Sequence, residues 1–307
     1  MMIKVFGHYS PDTDCTGSAI IAAWYYSEIL GKHAAPYLLG ELNPETKFVL
    51  DYWKVPALPI LEDVEADDEV VIVDTNNAEE LVANLGNAQI LQIIDHHRLM
   101  GNITTAYVVD TTIKPLASTA SVLLSLMSDS DREQMPEAIK GLMLSCILSD
   151  TLEFRSPTTT DYDRAIAEEL AAELNLDMPQ YAAQMFEAKS DVSDYSAKEL
   201  VKMDSKIAEF NGKKYRVGVL ETASPKVILE RKTELMEAQI EVCKEEGLAE
   251  AFLFIIDILN EEATLLVPNT ATQLMAEKSF NIEVAGDTVV LPGIVSRKKQ
   301  IIPQLQV

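Results

Sequence analysis

Three of the four histidines in this chain stand directly behind short apolar, β-rich runs, each beside aspartates. His8 opens the segment His8-Tyr9-Ser10-Pro11-Asp12-Thr13-Asp14 after the run Ile3 to Phe6, and Asp74 follows Val70 to Val73. Asp95-His96-His97 follows Ile90 to Ile94, and Asp150 comes after Ser149 at the end of an apolar helical stretch. Ligands of open α/β sheets gather at the carboxyl ends of the strands, so these four segments can meet on one rim. A single aspartate behind a strand is most often the N-cap of the next helix, and a single histidine there is usually a hydrogen-bonded surface group. Repetition weighs against that reading. The four segments can together supply two imidazoles and four carboxylates, a mixture that suits Mn²⁺ or a similar octahedral ion better than Ca²⁺ or Mg²⁺ alone, while the lack of a Cys ligand set disfavours tetrahedral structural zinc. Six ligands are too many for one open catalytic ion. They fit two ions bridged by one aspartate, roughly 3.5–4 Å apart, a pair that activates a water for in-line attack on phosphorus.

The elements that must carry these residues can be read from the pattern. Strands at Ile3 to Phe6, Val70 to Val73 and Ile90 to Ile94 alternate with helical stretches, beginning with Ser18 to Leu30, in the rhythm of a parallel α/β sheet with helices on both faces. Met135 to Leu148 reads as a buried helix, because Ile139, Leu142, Met143, Cys146 and Ile147 recur at spacings of three and four. Helices are also expected at Asp163 to Leu174 and Met178 to Lys189. The composition then turns toward Ser and Asp, which predicts a first domain over 1–188, a linker over 189–195 and a second domain over 196–307. The second domain is expected to be a smaller mixed-sheet α/β unit, with strands at Tyr215 to Leu220, Ala251 to Ile258 and Thr264 to Val267 and one long helix from Pro225 to Glu246.

Composition narrows the partners. With 49 acidic against 25 basic residues, the chain of 307 carries a formal charge of −24, which disfavours nucleic acid and anionic membranes as partners of the general surface. An anionic substrate would have to be met by metal ions or a local cluster of bases. No stretch approaches the ~18 apolar residues of a membrane span, and the first residues fit neither a signal nor a transit peptide. Cys15, Cys146 and Cys243 are too few and too scattered for a disulfide framework, so the expectation is a soluble cytoplasmic protein.

Taken in order, the segments His8-x-x-Pro11-Asp12-x-Asp14, Asp74, Asp95-His96-His97 and Ser149-Asp150 resemble the four motifs of the DHH phosphoesterase superfamily. Asp95-His96-His97-Arg98, Ser156-Pro157-Thr158 and above all Ser296-Arg297-Lys298-Lys299-Gln300 resemble the manganese-dependent, family II inorganic pyrophosphatases, over nearly the whole chain. The resemblance implies hydrolysis of pyrophosphate to two phosphates by a metal-bridged hydroxide. It implies one Mn²⁺ on His8, Asp12 and Asp74 and a second on Asp14, Asp74, His96 and Asp150, with Co²⁺ or Mg²⁺ as substitutes and further Mg²⁺ or Mn²⁺ arriving with the substrate. His97, Lys206, Arg297 and Lys298 are implied to hold the phosphoryl groups, and a homodimer is the implied assembly. Thr75, Ser10, Asn77 and Cys15 stand where the family often has His, Asn, Glu and Thr, which bears on metal preference and removes no ligand. Alternatives within the same architecture are a short-chain polyphosphatase and a DHH-type phosphodiesterase. The second is disfavoured by the isolated glycines of the C-terminal part, and a purely regulatory metal or phosphate binder by its retained basic residues.

Overall fold

The computed structural model describes residues 2–306, which form two compact units that divide between Ala188 and Lys189. The first contains β1 (Ile3–Phe6), α1 (Thr13–Trp24), β2 (Ala34–Pro36), α2 (Pro44–Tyr52), β3 (Glu69–Val73), β4 (Gln89–Asp95) and β5 (Asp110–Ile113). It continues with α3 (Thr119–Leu124), α4 (Asp129–Arg132), α5 (Glu137–Thr151), α6 (Asp161–Glu173) and α7 (Met178–Lys189). The five strands are all parallel, in the order β2-β1-β3-β4-β5.

Every residue of α1 from Thr13 to Ala23 is buried, because this helix lies between the sheet and α5. Gly17 allows the close approach: a Cβ there would sit 2.3 Å from the Cys146 sulfur on α5. The other face of the sheet is sealed by Leu39, Leu61, Val64, Leu81, Val82 and Leu85 packed on Phe6, Val70, Ile72 and Ile90, so its helical cover is reduced to two 3₁₀ turns at Ala78–Glu80 and Leu85–Asn87. Burial on both faces explains why the central strands read as continuous apolar runs.

The second unit holds α8 (Ala197–Met203), β6 (Ser205–Phe210), β7 (Lys213–Thr222), α9 (Pro225–Leu229), α10 (Lys232–Glu246), β8 (Glu250–Asp257), β9 (Glu262–Leu266), α11 (Thr270–Phe280) and β10 (Thr288–Pro292). Its sheet is mixed, in the order β10-β9-β8-β7-β6, and only β7 and β8 run parallel. Alternation sorts the core onto two faces. Val217, Val219, Phe252 and Phe254 pack toward α11 and the C-terminal Ile301, while Leu220, Leu253 and Ile255 pack against α8, α9 and α10. Among the described residues no helix is long and apolar enough to cross a membrane.

Two expected boundaries are corrected. The first helix starts at Thr13, not Ser18, because the Asp12 carboxylate caps it by accepting the Cys15 amide at 2.9 Å, and it loosens into a π-turn at Tyr25–Ile29. The single helix expected over Pro225 to Glu246 is two, broken at Arg231, whose guanidinium donates to the carbonyls of Val192 and Tyr195. Those carbonyls belong to the segment expected as the linker, where Ser190 also accepts from the Thr222 hydroxyl at 2.7 Å.

Candidate metal centre

The turn after β1 presents His8 with its ring already oriented: Nδ1 donates to the Tyr9 carbonyl at 2.8 Å, leaving Nε2 facing Asp74 at 3.4 Å and Asp12 at 3.8 Å. Asp14, in the first turn of α1, is buried and accepts from the Ser118 hydroxyl and from the amides of Thr119 and Ala120 at the start of α3. Asp74 directly follows β3 and lies in the left-handed region, φ +60°, where an aspartate is better tolerated than most residues. Its amide is fixed by the Ile94 carbonyl at 3.0 Å and its carboxylate by the Thr119 hydroxyl at 2.9 Å.

Asp95, fully buried at the end of β4, organises the following turn without being a candidate ligand. It accepts from the amides of His96 and His97, from His97 Nδ1 at 2.9 Å and from the Asn76 side chain. Asn76 in turn donates to the Arg98 carbonyl and accepts from the Met100 amide, so the Asp-His-His turn is held along its length. His96 donates through Nδ1 to the Leu116 carbonyl at 3.1 Å and turns Nε2 toward Asp74 at 3.4 Å, Asp150 at 3.7 Å and Asp14 at 3.9 Å. Asp150 comes from the last turn of α5, which is stopped by three successive left-handed residues, Leu152, Glu153 and Phe154.

All six expected ligands therefore meet within the first unit, with Asp74 between the two histidines. The nitrogen-to-oxygen separations of 3.4–3.9 Å are long for hydrogen bonds and suit pairs of donors around a shared cation. Charge points the same way. Burial and the neighbouring Asp74 carboxylate push Asp14 up to about 7, and burial with the charges of Asp14, Asp74 and Asp12 raises Asp150 well above the usual range. Burial disfavours the charged ring of His96, yet Asp74 and Asp14 outweigh it and lift the group to about 9. Burial likewise opposes ionisation of Asp74, but His8 and His96 hold its carboxyl well below the ordinary value. Four carboxylates compressed around two imidazoles leave an excess of negative charge that divalent cations would neutralise. The donor set thus fits the implied metal pair.

His97 is half-exposed; with Nδ1 engaged by Asp95, its Nε2 is the nitrogen left to meet a ligand. It borders a cavity of about 370 Å³ that is also lined by His8, Asp74, Asn76 and Arg98. In the second unit Lys206 is exposed on the edge strand β6. Arg297 opens a π-turn over Arg297–Ile301 and donates through Nη1 to both the carbonyl and the carboxylate of Asp204 at 2.6 Å, which brings it close to the start of β6. Gln300 folds this turn back by accepting from the amides of Val295 and Ser296. Lys298 is exposed on the same turn.

Sequence reasoning missed Ser118, Thr119 and Asn76. Ser118 and Thr119 carry only the sequence mark of a helix N-cap, and Asn76 carries no signal at all. Removing only the Thr119 hydroxyl, by Thr119→Val, is expected to weaken metal affinity by about 10- to 100-fold while leaving the fold intact. Titration of the chelated protein by calorimetry checks this, and unchanged affinity would remove Thr119 from the support of the centre.

A parallel α/β unit with carboxylates and imidazoles at its strand ends, followed by a mixed-sheet unit bearing a basic turn, makes a two-part α/β protein of the kind the DHH resemblance implies. Residues 2–148 match the DHH family N-terminal domain and residues 183–307 the DHHA2 domain. Proteins named probable manganese-dependent inorganic pyrophosphatase are 35% identical in Streptococcus thermophilus, over 99% of this chain and 97% of theirs, and 38% identical in Deinococcus radiodurans, over 99% and 98%. A crystal structure of a Methanococcus jannaschii protein described as a putative family II inorganic pyrophosphatase has a TM-score of 0.62 at 33% identity, covering 99% of this chain and 98% of that one. An exopolyphosphatase-related protein from Bacteroides fragilis shares the fold at a TM-score of 0.51 and 13% identity, over 98% of this chain and 89% of that one. The chain belongs to the family of manganese-dependent, family II inorganic pyrophosphatases.

Proposed function

We propose that this protein hydrolyses inorganic pyrophosphate to two phosphates in a metal-dependent reaction. The observation that carries the reading is the convergence of His8, Asp12, Asp14, Asp74, His96 and Asp150 about a single shared carboxylate, in a chain related to named pyrophosphatases along its full length. His8, Asp12 and Asp74 would hold one Mn²⁺, and Asp14, Asp74, His96 and Asp150 the other. Co²⁺ or Mg²⁺ would be substitutes, and additional Mg²⁺ or Mn²⁺ would accompany the substrate. Such a pair of ions supplies an activated water and neutralises charge on phosphorus-bound oxygens.

The protein's own part is positioning and charge. Asp95 holds His97 so that Nε2 can donate to a phosphoryl oxygen, and Asn76 keeps that turn from relaxing. Arg297, Lys298 and Lys206 are proposed to bind the phosphoryl oxygens, where their charge gains most as the departing phosphate becomes more negative. A homodimer is also proposed; β5 is an edge strand, and the approach to it exposes Tyr107 and Val108. The free thiols Cys15, Cys146 and Cys243 suit the reducing cytoplasm.

The test is phosphate release from pyrophosphate, tripolyphosphate and a dinucleotide after exhaustive chelation and addition of one metal at a time. Pyrophosphate is expected to be the preferred substrate, with activity lost on chelation and restored better by Mn²⁺ or Co²⁺ than by Mg²⁺, since imidazole nitrogen favours the former. Full activity without metal, or faster turnover of either other substrate, would overturn the reading.

A further inference from the structure

Cys15 follows Asp14 in the first turn of α1, and its side chain is turned back under the carboxyl end of β1. The residue is 2% exposed. Its sulfur, a ring nitrogen of His8 and a carboxylate oxygen of Asp74 all lie within 4.8 Å of one another. Gly7 provides the room, because a Cβ at that position would come 2.5 Å from the Cys15 sulfur and 2.6 Å from the Val73 carbonyl oxygen. The sulfur's hydrogen bond, to the His8 carbonyl, is 3.8 Å long and so holds it weakly. The second buried thiol is placed differently. Cys146 donates to the Thr13 carbonyl at 3.3 Å and joins none of the clustered donor groups among the described residues.

The two halves of the centre consequently differ in character. Around His96 the donors are imidazole nitrogen and carboxylate oxygen from Asp14 and Asp150, whereas around His8 a sulfur joins the set. Sulfur favours softer ions strongly, and carboxylate and water favour Mn²⁺ and Mg²⁺. We propose that Cys15 is a further ligand of the ion held by His8 and Asp74, and that it biases this half of the centre away from hard Mn²⁺ and Mg²⁺ toward borderline and soft divalent ions such as Co²⁺ and Cd²⁺. The inference rests on the metal centre argued above. As the sulfur–metal bond forms, the thiol proton passes to solvent and the sulfur lone pair to the ion, so no oxidant or reductant is involved.

Cobalt makes the proposal visible, because thiolate bound to Co²⁺ gives a near-ultraviolet charge-transfer band that oxygen and nitrogen ligands do not. The chelated full-length protein is titrated with Co²⁺, with bound cobalt counted by metal analysis. The band is expected to appear in the wild type and in Cys146→Ser and to vanish in Cys15→Ser, while bound cobalt stays near the wild-type value. In competition, Cys15→Ser should lower the preference for Cd²⁺ over Mn²⁺ by about tenfold or more. Cobalt bound by the wild type without a band, or a band of full strength in Cys15→Ser, overturns the role of Cys15 and leaves the metal centre standing. Failure of the wild type to bind cobalt at all would remove the centre itself, and the inference with it. The wild-type spectrum decides the matter even where a substitution impairs folding.

Discussion

Asp74→Asn is expected to reduce bound metal from two ions per chain to one or none and to lower kcat by about 10³ or more, a barrier increase on the order of 4 kcal/mol. The reason is its position. One carboxylate faces His8 and His96 at 3.4 Å each, so losing a charge and an acceptor oxygen here affects both halves of the centre at once. Asp12 faces His8 at 3.8 Å and is proposed to serve one half only, so Asp12→Asn should leave one ion in place. Asparagine is the informative replacement because it accepts the left-handed backbone that Asp74 adopts, so a loss of metal cannot be charged to backbone strain. Metal analysis after gel filtration, paired with phosphate release, measures both quantities. Two ions retained by Asp74→Asn would end the bridging role.

The second large effect is expected at Arg297. Arg297→Ala should leave bound Mn²⁺ unchanged and lower kcat/KM by about 10²- to 10³-fold, the usual consequence of losing a donor whose contact matters most in the transition state. A structural alternative must be separated from this, since the guanidinium also ties the turn to Asp204. Asp204→Ala removes the partner carboxylate and keeps the charge of Arg297, together with its bond to the residue 204 carbonyl, so it should retain most of the activity. If Asp204→Ala is as damaging as Arg297→Ala, the arginine acts as a clamp on its own domain; if Arg297→Ala loses metal, the division of labour proposed here is wrong.

Much of the candidate centre is legible in the sequence because the proposed ligands obey a local rule. His8, Asp74 and His96 each sit at or just behind the end of a parallel strand, and the apolar runs that mark β1, β3 and β4 are the strongest local signal in the chain. Asp12 was harder, since its carboxylate caps α1 through the Cys15 amide. Both readings of that residue draw on one local feature, an acidic side chain at the start of a helix. The edge strands β2, β5, β6 and β10 escaped notice for the opposite reason: they are short or part-exposed, and half-buried polar strands such as Asp110–Ile113 leave no apolar run.

The sequence by itself determined the kinds of donor, their order along the chain and the strands that deliver them, because residue type and hydrophobic period are local properties. Only the tertiary structure decided which atoms face one another. It is the crossing of α1 over the sheet that sets the Cys15 sulfur beside His8, in space left by Gly7. The start of α3, over a hundred positions beyond Asp14 and 45 beyond Asp74, supplies Asp14 with two amides and a hydroxyl and Asp74 with a second hydroxyl. Arg231 breaks what reads as one amphipathic helix by reaching carbonyls 36 and 39 positions away. Such contacts join residues with no periodic relation, and their energy exists only once the chain has closed the long loops between them, so no window of sequence can display them.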